Sequence, residues 1–349
     1  MKHMKKIAFF TLVIFSLFTI VACGAKEVPP APSMSETPSA STAPKEKVNV
    51  ATLAGPTGMG MAKIMEDNEA GAARNEYDFT LATAPDQIVA KLTSKEIDIA
   101  AIPANLAATL YNKTEGGIQM AAINTLGMMY IMQNIKTEDG SDGIKTLADL
   151  EGKTIVLAGQ GSTPEYVLNY LLEENGLGGK VTLEFVSEHS EVVSLMVAGK
   201  ADFCLLPEPF VTTLQQKADN AQIVIKTNTE WETLLKKDGK TGDIVMGCVV
   251  VRKEFAENNG AALAAFLKDY YSSVEYTNNF PADAAKLIVK HGILADEALA
   301  EATIPTAAIV YIDGAIMKEA IVTFFDVLYA ANPASLGGAL PKDDFYYEK

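Results

Sequence analysis

Arginine is nearly missing. Arg74 and Arg252 are the only two in 349 residues, so lysine supplies almost all of the 29 basic side chains. A guanidinium fork is the usual bidentate clamp for a carboxylate. No glycine-rich turn carries one, which lowers α-amino acids and dicarboxylates as ligands. Histidine and cysteine are as scarce, at three each. His3, His189 and His291 stand alone, and no Cys/His group has metal-ligand spacing, so neither a metal nor a cofactor is expected. G-x-S-x-G and H-E-x-x-H are both absent, and with them the common signatures of α/β-hydrolases and zinc proteases. Basic surface is also lacking: a net charge of −15 at pH 7 argues against nucleic acid and anionic lipid surfaces as partners.

What is present begins with an export signal. Lys2, Lys5 and Lys6 precede an almost wholly apolar run from Ile7 to Val21, which is short for a membrane-spanning helix of ~20 residues. The run ends in Ile20-Val21-Ala22-Cys23, which resembles a bacterial lipobox. That resemblance implies cleavage before Cys23 and acylation of it, and several acyl chains on one residue anchor a protein stably, at ~0.8 kcal/mol per buried CH₂. From Gly24 to Lys47 the chain is rich in proline, serine, threonine and alanine and has no aromatic residue. Such a segment buries too little apolar surface to offset its ordering entropy and reads as a tether. The expected order is therefore a signal peptide over 1–22, a lipid-anchored tether over 23–47, and a folded part from Val48 onward.

That folded part is too long for one core, so two lobes are expected. Strand and helix signals alternate. "VNVATLAG" stops at Gly-Pro, "GMGMAKIMEDNEAG" has apolar residues at helical spacing, and "YDFTLAT", "IDIAAIP" and "IQMAAINTLGMMYIMQN" read as strands, the last broken near Leu126-Gly127. A second cycle follows Ile144, with strands at Lys153–Ala158, "VTLEFVS", "ADFCLLP" and "QIVIKTN", before "DIVMGCVVVRKEF" returns. Repeated βαβ units predict an α/β fold with mostly parallel sheets. The reading places lobe I at 48–136 plus 246–349 and lobe II at 137–245, joined by two crossings. Residues Glu254 to Ala331 read as mainly helical, and the tail Gly337–Lys349 as a loose wrap. Cys204 and Cys248 read as buried free thiols, although export permits a disulfide.

Three stretches carry a resemblance: "APDQIVAKLTSKEIDIAAIP" (Ala84–Pro103), "TLADLEGKTIVLAGQGSTPEYVLNYLLEENGL" (Thr146–Leu177) and "VAGKADFCLLPEPF" (Val197–Phe210). In order and spacing, the chain from Val48 to Ala331 resembles the type II periplasmic-binding-protein fold of ABC-importer solute-binding subunits. Within that fold it looks like the group that binds sulfonates, taurine, nitrate and thiamine precursors; its pattern is closer to that group than to a phosphonate- or phosphate-type binder, a rival that stands after a same-fold enzyme and a sensor lipoprotein. The resemblance implies two βα lobes on two hinge crossings, a monomer, a small-molecule solute, and permease and ATPase partners at the extracytoplasmic face of a membrane. It implies no catalysis. Same-fold enzymes of thiamine and menaquinone precursor synthesis exist, but the fungal thiamine type carries a cysteine-rich iron motif lacking here. A sensor lipoprotein on this fold remains open.

In open α/β sheets ligands bind beyond the carboxyl ends of strands, where helix starts point into the crevice. Candidate contacts in those turns are Pro56, Thr57, Gly58 and Met59; Asp86; Asn105; Thr125 and Gly127; Gln160, Gly161, Ser162 and Thr163; and Glu208. "GQGSTPE" is the strongest turn, because two glycines expose backbone N–H groups and a helix start adds roughly half a positive charge. Ser162 or Thr163 also suits a helix cap, with Glu165 completing a capping box. Met128, Tyr130 and Tyr166 are candidate apolar walls that equally suit a core.

Overall fold

A computed structural model describes residues 45–135 and 143–348. The expected signal peptide, Cys23 and nearly all of the expected tether lie outside these residues. Eleven strands among the described residues form two sheets. The first has the order β11-β4-β10-β3-β1-β2, from β1 (Lys47–Leu53), β2 (Glu76–Ala82), β3 (Ile99–Pro103), β4 (Ile118–Leu126), β10 (Val245–Arg252) and β11 (Ile309–Ile312). The second has the order β7-β6-β8-β5-β9, from β5 (Met129–Asn134), β6 (Thr154–Ala158), β7 (Thr182–Val186), β8 (Phe203–Pro207) and β9 (Ala221–Lys226).

The expected division needs one correction. Met129–Asn134 was placed in lobe I, yet β5 pairs antiparallel with β8 and β9 in the second sheet. The chain changes sheets within Gly127-Met128, not after residue 136. An apolar strand with a polar exit suits the centre of either sheet, so its local pattern could not choose between them. A second correction falls in the helical C-terminal region. Ile309–Ile312 is the edge strand β11, beside β4, and four residues are too few for a period to show.

Register fixes which ends of the strands face each other. In the first sheet β1, β2 and β3 run parallel, and β10 lies antiparallel between β3 and β4. The carboxyl ends of β1 to β4 and the start of β10, where Val245 pairs with Leu126, therefore share one edge. In the second sheet β6, β7 and β8 run parallel, and Met129 at the start of β5 pairs with Pro207 at the end of β8. Two residues carry the chain from one carboxyl edge to the other, and 238–244 bring it back. The two carboxyl edges therefore adjoin at these crossings, where an open α/β sheet places its candidate crevice.

Helices cover both sheets: α1 (Pro56–Met59), α2 (Ala62–Glu69), α3 (Pro85–Thr93), α4 (Ala104–Lys113), α5 (Thr163–Glu174), α6 (His189–Val197), α7 (Phe210–Lys217), α8 (Thr227–Lys237), α9 (Lys253–Asn258), α10 (Gly260–Asn279), α11 (Pro281–Lys290), α12 (Glu297–Thr303) and α13 (Gly314–Ala331). Proline opens α3 and α11 at the first helical position, where its missing N–H costs nothing. One hydrophobic cluster spans both halves: Ile102 of β3 and Leu110 of α4, Leu168 of α5 and Trp231 of α8, and Phe324 and Phe325 of α13. Trp231 is fully buried, 5.0 Å from the Tyr170 ring and 6.1 Å from Phe324. The helix α13 thus ties the two halves from outside the crevice.

Both arginines are absorbed at the opposite edge of the first sheet. Arg252, at the end of β10, donates to Asp98 Oδ1 at 2.5 Å and to the Ile97 carbonyl at 2.9 Å. Arg74, before β2, pairs with the buried Asp269, which also accepts from Tyr77 Oη at 2.8 Å. Cys204 in β8 and Cys248 in β10 are buried free thiols in different sheets, so no disulfide joins them. The tail is not a loose wrap. Phe345 is fully buried against Tyr111, and Tyr347 N–H donates to the Met120 carbonyl at 2.8 Å.

Candidate functional site

The crevice wall on the first sheet is rigidly built. After β1 the chain turns through Gly55, whose φ is +88° and whose N–H donates to the Ile293 carbonyl at 2.9 Å. Gly58 packs so closely that a Cβ there would lie 2.3 Å from the Leu53 carbonyl oxygen. Asn124 Nδ2 donates to the Thr57 carbonyl at 3.1 Å, and Thr125 Oγ1 donates to Asn124 Oδ1 at 2.9 Å. The turn after β1 is thus pinned by Ile293 and by Asn124, both far along the chain.

The residues expected to meet a solute divide accordingly. Thr57 and Asn105 are half-buried and Asp86 is exposed, all at helix starts on the crevice edge. Pro56 and Met59 are buried, and Met59 is fully inside the first-sheet core. Thr125 is also fully buried, with its hydroxyl spent on Asn124. Gly127 is the crossing itself: a Cβ would lie 2.9 Å from Asn228 Oδ1 and 3.0 Å from Ile244 Cβ. Met59, Thr125 and Gly127 therefore shape the wall and do not present donors to the crevice.

On the second sheet, Gln160 and Gly161 are exposed and Ser162 and Thr163 half-buried. Gly159 and Gly161 have φ of +87° and +72°, the left-handed region that glycine enters without strain. The expected capping box does not form. Ser162 is the N-cap of α5, yet its hydroxyl donates back to the Gly159 carbonyl at 2.5 Å. Glu165 takes the Gly161 N–H at 2.6 Å instead of the N-cap's own N–H. Tyr166 Oη closes the turn by donating to the Gly161 carbonyl at 2.8 Å and accepts from Asn332 at 2.9 Å. Its ring lies in the groove between α5 and α13, away from the crevice.

Glu208 has a different place from the one expected. It is 2 % exposed, and its carboxylate accepts from the Thr212 N–H and hydroxyl and from Thr306 Oγ1 at 2.5 Å. Burial holds its carboxyl above the usual glutamate range. Tyr130 is buried too and donates to the Thr306 carbonyl at 2.8 Å. Thr306 precedes β11 of the first sheet, so Glu208 and Tyr130 form a latch between the halves, with α12 packed on α7 beside it. A carboxylate this deeply buried and given to Thr212 and Thr306 is not presented to the crevice.

Sequence reasoning missed one feature of the second edge. His189 opens α6 just past β7, and its ring lies 5.1 Å from Phe210 at the start of α7. Burial lowers its pKa, which keeps the imidazole neutral at neutral pH. The two rings, one past β7 and one past β8 on either side of β6, make an aromatic patch. Its only signal in the sequence is position, since each ring follows a predicted strand by a few residues.

The model of the family described as "ABC transporter, phosphonate, periplasmic substrate-binding protein" matches residues 70–292. The chain belongs to that family. This substrate-binding protein is similar in structure to an ABC transporter protein from Parabacteroides distasonis, with a TM-score of 0.69 and 24 % identity over 87 % of this chain and 100 % of the other. It is similar to the periplasmic aliphatic sulphonate binding protein of Escherichia coli, with a TM-score of 0.63 and 14 % identity over 87 % and 94 %. It also resembles the alkanesulfonate-binding protein of Xanthomonas axonopodis pv. citri bound to MOPS, with a TM-score of 0.56 and 16 % identity over 86 % and 96 %. At such identities the likenesses carry the fold. No curated protein sequence matches. The α/β periplasmic-binding-protein fold is as the sequence implied, whereas the matching family is the phosphonate one, which the sequence pattern placed below the sulfonate group and last among its rivals.

Proposed function

We propose that the protein is a lipid-anchored extracytoplasmic subunit of an ABC importer that captures a compact organic anion, a phosphonate or sulfonate, between its two halves. One observation carries the solute class: the crevice edges present helix starts and glycine turns, while both arginines are committed to Asp98 and Asp269 elsewhere. A tetrahedral anionic head suits backbone N–H groups and hydroxyls at helix starts, which need no cationic side chain. Thr57 and Asn105 on one edge and Gln160, Gly161, Ser162 and Thr163 on the other are the contacts of this reading. The His189–Phe210 rings form a wall for an organic substituent.

The halves divide at Gly127-Met128 and within 238–244, and closure about these crossings enfolds the solute. The closed form gains contacts the open form lacks, which is what shifts its population and presents it to a permease and ATPase. Cys23 carries the anchor and the tether holds the folded part at the membrane. No chemistry on the solute is required of any residue.

A thermal-shift titration of the full chain in detergent, stripped of ligand by unfolding and refolding, tests the reading. Phosphonates, sulfonates, nitrate, pyrimidines and amino acids are the probes. A saturable rise following RT ln(1 + [L]/Kd) for a phosphonate or sulfonate is expected. A rise for amino acids alone, or for no anion at all, would overturn the solute class.

A further inference from the structure

A second site lies on the first-sheet half, where α2 meets the end of α11. Glu66 and Glu69 sit three apart on α2 and so share a face. His291 follows α11, where its N–H donates to the Leu287 carbonyl at 2.9 Å. Its side chain is only 8 % exposed and aims at the two carboxylates: Nε2 lies 3.4 Å from Glu66 Oε2, and Nδ1 lies 3.7 Å from Glu69 Oε1. Nε2 is shut off from solvent and makes no hydrogen bond of good geometry. A buried ring nitrogen left in that state is costly unless something engages it. A cavity of about 290 Å³ opens beside the group, bounded by Asn68, Glu69, Tyr77, Phe79 and His291.

The group already collects positive charge. Lys290 Nζ pairs with Glu66 and reaches Glu69 at 2.8 Å, and its hydrogen bond is the main reason the Glu66 carboxyl lies below the usual range. That lysine is half-exposed on a flexible stem, so it can leave. One ligand atom from each of Glu66, Glu69 and His291 falls within 4.8 Å of the others. Bonds of ~2.0–2.2 Å need donors roughly 3.3 Å apart, a gap that side-chain rotation of two glutamates closes. One imidazole nitrogen with two carboxylate oxygens suits a borderline first-row dication. Calcium and magnesium favour all-oxygen sets.

We propose that Glu66, Glu69 and His291 form a binding site for a single zinc-type divalent cation, which displaces Lys290 as it enters. The test is isothermal calorimetry on the full-length, untagged chain in detergent, stripped with chelator and titrated with ZnCl₂. Saturable one-to-one binding is expected, at least about tenfold weaker in His291→Ala and in Glu66→Gln, by analogy with metal-site perturbations. Lys290→Met should bind more tightly, because it removes the competing ammonium. Millimolar Mg²⁺ or Ca²⁺ should not compete. Glu69→Gln changes an exposed side chain, so it serves if His291→Ala loses its native circular dichroism. Absence of saturable binding, or equal affinity in wild type, Glu66→Gln and Glu69→Gln, would overturn the site.

Discussion

The two edges of the crevice are held in opposite ways. On the first sheet, the turn at Gly55–Gly58 is pinned from outside itself, by the Ile293 carbonyl, by Asn124 and by the Leu53 carbonyl it packs against. On the second, the Gly159–Thr163 turn is held mostly by its own atoms: Ser162 to Gly159, Glu165 to Gly161, Tyr166 to Gly161. Its one long-range tie is Asn332 to Tyr166. A wall fixed by several elements resists adjustment, whereas a self-contained turn can be retuned by one or two substitutions without disturbing the sheet behind it. Solute choice should therefore respond to changes in the second edge, and stability to changes in the first edge and in α13.

Five experiments sharpen or break that contrast. Trp231→Ala removes the largest fully buried side chain, at the seam between α8 and α13, and should cost about 3–5 kcal/mol. Urea unfolding with two probes would show whether the halves then come apart separately; a single unshifted transition would deny α13 its joining role. Arg252→Met leaves Asp98, which is 8 % exposed, with only the Asn49 donors and no countercharge, and should cost about 3 kcal/mol. Solute affinity should stay unchanged, because the pair sits at the far edge; a large loss of affinity would break the contrast.

The latch comes next. Thr306→Val removes one donor from the Glu208 carboxylate and should cost about 1–2 kcal/mol. The sign of the pH effect follows from the raised pKa of Glu208. The native state holds that proton more tightly than the unfolded chain does. Its contribution is fully present in acid and falls as pH rises from the ordinary glutamate range through the raised native value. Glu208→Gln should flatten that fall in the pH–stability curve, and an identical curve would place the titration elsewhere. The smallest effect on stability belongs to Ser162→Ala with Thr163→Ala. It should lower the melting temperature by only a few degrees, corresponding to about 1 kcal/mol, while weakening solute binding by more. Unchanged affinity would leave those hydroxyls a purely local role.

The sequence revealed the strand–helix alternation and the strand-end turns because both are local patterns. Periodicity, proline at helix starts and glycine after strands are all written within a dozen residues. Sheet membership is not: β5 looks like a first-sheet strand, and only its pairing with β8 and β9 says otherwise. The same limit explains Glu208, whose cis-acting neighbours suggested an open turn but whose burial depends on Thr306, far along the chain. Ser162 met the capping rule in spacing and failed it in geometry, because the left-handed glycines offered the Gly159 carbonyl first. His291 looked isolated for the plainest reason, since Glu66 and Glu69 reach it only through packing of α2 on α11.

The two buried thiols have a use that their silence in the fold conceals. Cys204 and Cys248 sit one in each sheet, both essentially sealed from solvent, and burial pushes both thiols well above their ordinary pKa. A thiol reagent reaches either one only when that sheet opens, since the thiolate is the reactive form. Each cysteine is thus an event counter for its own half. Labelling rates read side by side, with and without solute, would time the opening of one half against the other with no foreign probe introduced.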